Sequence, residues 1–322
     1  MLKNLIKTAV RHILKHFGYS VLNILGLTLG ITSAIFLIIY VSDEVSYDRY
    51  HEKADRIYRV STTIKEPDDQ FTWIFAQIPF GPQVAHDYPE VQSFVRFINM
   101  PRALYKYEDK QFNEENFYYV DSTLFDIFSY KVLKGEVKSA LLGPKKIILT
   151  EKIANKYFGK TDPIGKTLTT GTDTYEVTGV IKDVPTNSHF RFDAIAARNN
   201  LPKQLGSWGN FGVFTYLLFP KNFDVKPFET KMQGMYDAYM KTIFRPLNIS
   251  ITYHLESLTR IHLFSTNAQE PEPTGSYTYV YIFAIVAIFL VLIASMNYMN
   301  LATARSARRA REVGLRKVVG SR

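Results

Sequence analysis

The chain has 322 residues, 46% of them hydrophobic, a formal charge of +9 and no cysteine. That size accommodates one or two cores besides any membrane spans, and the missing thiols exclude a disulfide framework, a thiolate metal site and a cysteine nucleophile. Met1 to His16 carries four Lys or Arg and no acid, and Arg305 to Arg322 carries seven against the single Glu312, leaving the rest one charge negative; a nucleic-acid binder concentrates cations on its folded body, so nucleic acid is not an expected partner.

Residues Met1 to Phe17 set Leu2, Leu5, Ile6, Ala9, Val10, Ile13, Leu14 and Phe17 on one helical face and Lys3, Lys7, Arg11 and Lys15 on the other. This predicts an interfacial amphipathic helix over residues 1–18 with membrane lipid as its partner. His12 and His16 are four apart, but two ligands do not make a metal site. Tyr19 to Val41 then runs 23 residues without a charge, long enough to be a transmembrane helix over 19–41. No small-residue cleavage site precedes Asp43 and Glu44, so the span is expected to stay as an anchor. Gly26, Gly30 and Ala34 repeat every fourth residue and give that helix a stripe free of bulk, along which another helix can approach.

Basic residues precede this span and follow the second one, which predicts cytoplasmic termini and an extracytoplasmic domain over 42–276. Within it, Ile57 to Ile64 alternates as a strand, Phe80 to Asp87 suits a short helix, and Val91 to Ile98 alternates again. A second β-α-β unit follows far downstream: strand Val213 to Phe219, helix Lys226 to Phe244 after Asp224, and strand Asn248 to Tyr253. The fold class is therefore α+β, two β-α-β units (43–100 and 203–270) bracketing an inserted lobe (101–202), between two transmembrane α-helices. The lobe carries strands near Phe117 to Val120, Ile147 to Leu149 and Tyr175 to Ile181, and a helix Glu151 to Phe158 with Thr150 as N-cap.

Gly159 to Thr167 reads GKTDPIGKT, but a phosphate loop needs four residues between its first Gly and the Gly-Lys pair, and here there are five. Pro163 interrupts it and the next segment reads as strand where a helix is required, so a turn is expected. His51, His86, His189, His254 and His262 are dispersed, Asp43 with Glu44 and Asp68 with Asp69 are adjacent rather than facing carboxylates, and no Ser stands in a nucleophile elbow. No catalytic, metal or cofactor residue follows from the sequence. Glu270, Pro271, Glu272 and Pro273 read as a stiff extended linker.

From Tyr277 to Ala304 there is again no charge, which predicts the second transmembrane helix over 277–304. Tyr277, Tyr279 and Tyr281 at one end and Tyr298 near the other match interfacial aromatic belts. Asn297 and Asn300 either bond to neighbouring helices or lie at the interface. Beyond them, Ala307, Ala310, Gly314, Leu315 and Val318 fall at helical spacing with the arginines on the other face. Either the tail is a stop-transfer anchor, or its small residues admit a second surface at close range.

The run MNLATARSARRAREVGLRKVVGSR resembles the segment after the second transmembrane helix of FtsX-like, MacB-type ABC transporter permeases. SDEVSYDRYHEKADRIYRV, DPIGKTL and VTGVIKDVPTNSHF resemble the extracytoplasmic domain of the same family. The resemblance implies a non-enzymatic permease subunit of the cytoplasmic (inner) membrane that couples an ABC-type ATPase partner to its outer domain, for export or mechanotransmission. ATP would be bound by that partner, and the permease would pair as a homodimer or with a second permease half. It implies a porter-like part with an inserted lobe, an ATPase-coupling role for Arg308, Arg309, Arg311, Glu312, Gly314, Arg316 and Lys317, and further spans after Arg322, making this chain the N-terminal part of a longer one. The rival is a two-span receptor with an extracytoplasmic ligand-sensing domain, which shares the topology.

Overall fold

The computed structural model describes residues 17–171, 173–197, 207–318 and 320. The amphipathic segment expected before Phe17 lies outside them. Two units emerge, one formed by the chain's two ends through Val45 and from Ser276, the other by Ser46–Gly275.

The first unit is a pair of long helices, α1 (Phe17–Val45) and one that closes the chain (Tyr277–Val318). Asn23–Val45 and Tyr277–Asn300 are long and apolar enough to cross a membrane. The sequence suggested a span ending at Ala304 followed by a basic segment at helical spacing. The last helix joins the two and runs without a break for 42 residues, because no Gly or Pro interrupts Tyr277 to Val313 and alanines, leucines and arginines all favour the helix.

The second unit is one mixed sheet with helices against it. Its strands in chain order are β1 (Ile57–Lys65), β2 (Gln70–Trp73), β3 (Ala76–Gln77), β4 (Ser93–Asn99), β5 (Ala103–Tyr107), β6 (Lys110–Glu114), β7 (Phe117–Val120), β8 (Val132–Gly135), β9 (Lys146–Thr150), β10 (Thr167–Thr170), β11 (Asp173–Ile181), β12 (Ala194–Ala197), β13 (Phe211–Leu218) and β14 (Ser250–Ser257). Their order is β14-β1-β13-β4-β7-β12-β9-β11-β10-β5-β6, with β2 on β1, β3 on β13 and β8 on β11.

The two β-α-β units interleave. Helix α2 (Phe80–Asp87) connects β1 to β4, yet β13 lies between those strands; helix α3 (Val225–Met232) connects β13 towards β14, yet β1 lies between them. The pairings of β1 with β13 and β14 and the β4–β13 pairing are antiparallel. Each unit thus completes the other's sheet, and one face buries Val60, Phe80, Val84, Leu217, Phe228, Met232 and Tyr253 together.

The expected helix Lys226 to Phe244 is irregular, helical except for a turn at Gln233 and with a π segment inside it. Asp224 caps α3 by accepting the Lys226 amide at 3.2 Å, the helix stops at Met232, and a wider π turn follows over Tyr236–Met240 before Lys241–Phe244. Gly234 weakens the helix there, and the wider turn keeps Met235 and Met240, five apart, both buried in the same core. Just past α3, Gln233 turns back to the outer edge of β14. Its amide accepts the Tyr253 N–H at 2.9 Å and donates to the Tyr253 carbonyl at 2.8 Å, while Glu229 accepts the Leu255 N–H at 2.7 Å. An edge that would otherwise offer open backbone groups is thereby closed.

The insert has its own core around Tyr105, Phe117, Ile147, Tyr157, Tyr175 and Val177, but it is not detached. Strand β4 pairs antiparallel with β7, and a third core containing Val95, Phe97, Tyr118, Phe190, Phe192, Ile195 and Tyr216 draws on both parts. Its helix Glu151–Phe158 starts at Thr150, whose side chain accepts from Ile153, and GKTDPIGKT is the turn between that helix and β10.

Candidate functional site

Gly26, Gly30 and Ala34 lie on the face of α1 that meets the closing helix, α4 (Tyr277–Val318). A Cβ on Gly30 would stand 3.5 Å from Ala294 Cβ, and one on Gly26 would stand 3.6 Å from Asn297 Nδ2. Ala34, Ala287 and Ala294 are buried. Removing side-chain bulk on both helices lets the backbones approach, and dispersion contacts replace lipid contacts along the seam. Asn297 is half-buried there, and Nδ2 of Asn23 on α1 is buried without a hydrogen-bond partner. Asn300 is exposed, so the structure brings Asn297 to the seam and leaves Asn300 off it.

Further along α4, Ser306, Ala310, Val313, Gly314 and Leu315 are exposed, and nothing lies within 4 Å of a Cβ built on Gly314. The side chains of Arg308, Arg309, Arg311, Glu312, Arg316 and Lys317 lie outside the described residues; their backbone is helical.

The second set of residues stands where the chain enters and leaves the Ser46–Gly275 unit, and sequence reasoning did not single it out. Two stretches that carried the family resemblance, SYDRYH and NSHF, are bolted together. Asn187 Nδ2 donates to Ser46 Oγ at 2.9 Å, Tyr50 and Ser188 share a hydroxyl hydrogen bond at 2.7 Å, and the His189 amide reaches both oxygens of Asp48 at 3.3 Å. Asp48 is 1% exposed, at φ 59°. His189 Nδ1 lies 2.9 Å from Asp48 Oδ1, at an angle that forms no hydrogen bond, and its Nε2 lies 2.8 Å from the Tyr216 hydroxyl.

His51, also buried, accepts the Ser129 amide at Nδ1 over 3.1 Å, which requires that nitrogen to be unprotonated. Burial lowers its pKa to about 4, with Asp48 opposing that and His189 adding to it. Burial likewise raises the phenols of Tyr50, Tyr130 and Tyr216.

Tyr216 is the register partner of Arg59, and Arg59 that of Glu256, so the three stand side by side on one face across β13, β1 and β14. Arg59 is wholly buried. Its Nη2 lies 2.6 Å from Glu256 Oε2 and 2.5 Å from Glu270 Oε1, and its Nη1 lies 2.6 Å from Glu270 Oε2. Burial alone would lower the guanidinium pKa; the hydrogen bond to Glu270 and the field of Glu256 raise it above its ordinary value. Two residues on, Glu272 pairs with Arg191, which raises the Arg191 pKa. Tyr47 stacks on His262 with ring centroids 3.3 Å apart, and the His262 carbonyl accepts the Gly275 amide at 2.9 Å. The incoming segment and the outgoing linker are therefore both tied to the sheet by charged or aromatic contacts. The sequence signal for Arg59 was a charge inside the apolar strand IYRV; Asp48 lay in a stretch of family resemblance and Glu270 in the linker, while Glu256 and Tyr216 carried no local signal.

Residues 20–233 match the family model described as the MacB-like periplasmic core domain. Comparison with curated proteins returns no match. Among solved structures, a domain assigned to a permease protein of Porphyromonas gingivalis aligns at 20% identity with a TM-score of 0.59, covering 64% of this chain and 91% of that one. The periplasmic region of MacB from Actinobacillus actinomycetemcomitans aligns at 15% identity and TM-score 0.42 over 60% of this chain and 87% of its own. The extracellular domain of the noncanonic ABC-type transporter YknZ from Gram-positive bacteria gives 15% and 0.42 over 61% and 98%. The Porphyromonas domain shares the fold. The family model matches well over half of the chain, so the protein belongs to the MacB-like periplasmic core domain family, and two of its helices are long and apolar enough to cross a membrane.

Proposed function

We propose that this chain is a multi-pass permease subunit of the cytoplasmic membrane that couples an ABC-type ATPase, which binds the ATP, to its extracytoplasmic domain for export or mechanotransmission. The observation that carries the reading is the unbroken helix Tyr277–Val318. At about 1.5 Å per residue it is roughly 63 Å long, of which the 18 residues after Asn300 extend roughly 27 Å beyond the span. A displacement at its basic end passes along one stiff element to the linker at Glu270 to Gly275.

Arg308, Arg309, Arg311, Arg316 and Lys317 supply charge for carboxylates on the ATPase, with Glu312 the one acid among them. Exposed pairs contribute under about 1 kcal/mol each and weaken with salt, so charge alone docks loosely. Gly314, open on its surface, supports closer contact: a side chain there would hold a partner off the helix backbone. The pairing of Gly30 with Ala294 keeps the two spans moving together, and a second permease half or a second copy completes the membrane assembly.

The test is ATPase stimulation by the reconstituted full-length permease and its Gly314→Leu variant. Leu favours helix over Gly by roughly 0.8 kcal/mol, so the substitution does not act by melting the segment. Loss of stimulation with membrane insertion intact supports coupling. Equal stimulation and equal ATPase binding would favour a plain stop-transfer anchor, as expected of a two-span receptor.

A further inference from the structure

The structure assigns a second role to the linker before α4: a reversible strap, docked on Arg59 and Arg191 through Glu270 and Glu272. The inference extends the coupling reading to the outer end of α4, and its test needs no ATPase.

A buried cation held by one carboxylate makes a permanent bolt, because removing the carboxylate strands an uncompensated charge. Arg59 is held by two. Glu256 comes from β14, next to β1 in the sheet, and takes Nε at 3.0 Å and Nη2 at 2.6 Å; Glu270 comes from the linker and takes Nη1 and Nη2. When Glu270 leaves, Arg59 keeps Glu256, whose Oε2 accepts from both Nε and Nη2, and the site becomes a neutral ion pair. When Glu270 is docked, two carboxylates face one guanidinium and the cluster carries a net negative charge. Their mutual repulsion offsets part of the attraction to Arg59, which brings the docked and released states closer in free energy than a lone buried pair would allow.

The remaining ties of the linker are single neutral hydrogen bonds or an exposed pair. Asn267 Nδ2 donates to the Thr72 carbonyl and the Gly275 amide to the His262 carbonyl, bonds that water can replace, and Ser265 Oγ donates to Glu270 within the linker. Arg191, which binds Glu272, has a 43% exposed side chain, so that pair is screened by solvent. Thr274 is exposed. Between residues 265 and 275 the linker adds no strand to the sheet, so its release breaks no ladder. Glu256 itself is 32% exposed at its side chain beside a cleft of about 560 Å³ bordered by Thr72, Trp73 and residues 264–269. Water thus reaches Glu256, the neighbour of Arg59, from the linker side.

The chain has no cysteine, so spin labels go only where they are placed. The experiment measures distances between labels on Lys182→Cys and Thr274→Cys, both exposed positions, in the detergent-solubilised chain. The unsubstituted linker should give one dominant short distance. Glu270→Gln, by removing the charge from the strap, should raise the longer-distance population about tenfold while the thermal midpoint stays within a few degrees. Glu256→Gln, which takes away the partner that remains after release, should narrow the distribution towards the docked distance. Two outcomes overturn the proposal: an unchanged distribution in Glu270→Gln, or equal broadening in both variants. Collapse of the fold in Glu270→Gln would also overturn it, since a releasable strap cannot be required for folding; Glu256→Gln then still reports whether the reserve partner matters.

Discussion

The carboxylate of Asp48 receives the backbone N–H of His189 on both oxygens at 3.3 Å, across 141 residues of chain. Three residues after α1 ends, the chain is anchored to the sheet. Asp48→Ala should cost roughly 3 kcal/mol, because it strands a buried amide and removes the negative charge facing the imidazole. Asp48→Asn keeps an acceptor and tolerates the left-handed backbone, so it should cost about half as much. Urea unfolding of the solubilised chain measures both; a loss under about 1 kcal/mol for Asp48→Ala would show that the contact is incidental.

His51 makes the domain acid-sensitive. Its folded pKa of about 4 lies below the ordinary 6.5, so the unfolded chain takes up the proton first as pH falls. The stabilisation is complete above about pH 6.5 and is lost progressively towards pH 4, on the order of 3 kcal/mol in all. Asn at position 51 can still accept the Ser129 amide without titrating. The stability of His51→Asn should therefore fall less steeply than wild type between pH 6.5 and 4.5, and parallel curves would reject the assignment.

Gly30 and Ala294 offer a direct check of the membrane seam. A Cβ on Gly30 would lie 3.5 Å from that of Ala294, at the short edge of disulfide geometry. Oxidation of Gly30→Cys/Ala294→Cys should form an intrachain bond, whereas Phe36→Cys/Ala294→Cys, with Phe36 67% exposed, should not. Gly30→Leu should separate the helices and lower transport. Absence of the first cross-link under oxidant would dismiss the seam.

Gln233 carries the edge of β14. Gln233→Ala leaves the Tyr253 N–H and C=O without their partner and should cost about 2 kcal/mol. Hydrogen exchange should quicken at Tyr253, whereas the Leu255 amide, held by Glu229, should change little. Uniform protection at both positions would mean that water serves the edge equally well.

Periodicity alone located α2 at Phe80 to Asp87, the helix Glu151–Phe158 with its Thr150 cap, and β7 at Phe117 to Val120. These are local decisions, set by alternation, caps and apolar spacing within a few residues. The hairpin of β5 and β6 escaped the sequence reading because its turn at Glu108 and Asp109 lacks Gly and Asn, the usual markers of positive φ; Glu108 nevertheless adopts φ 50°.

The sequence by itself determined two uncharged runs of membrane length, the cations beside them, the family, and an α+β domain between them. Tertiary structure alone decided that the two β-α-β units interleave and that Asp48, His189, Tyr216, Arg59 and Glu270 assemble where the chain enters and leaves the domain. Hydrophobic pattern is written in neighbours along the chain and can be read there. A buried charge is tolerated only through partners that folding brings from far away, and Arg59 finds its own at separations of 197 and 211 residues.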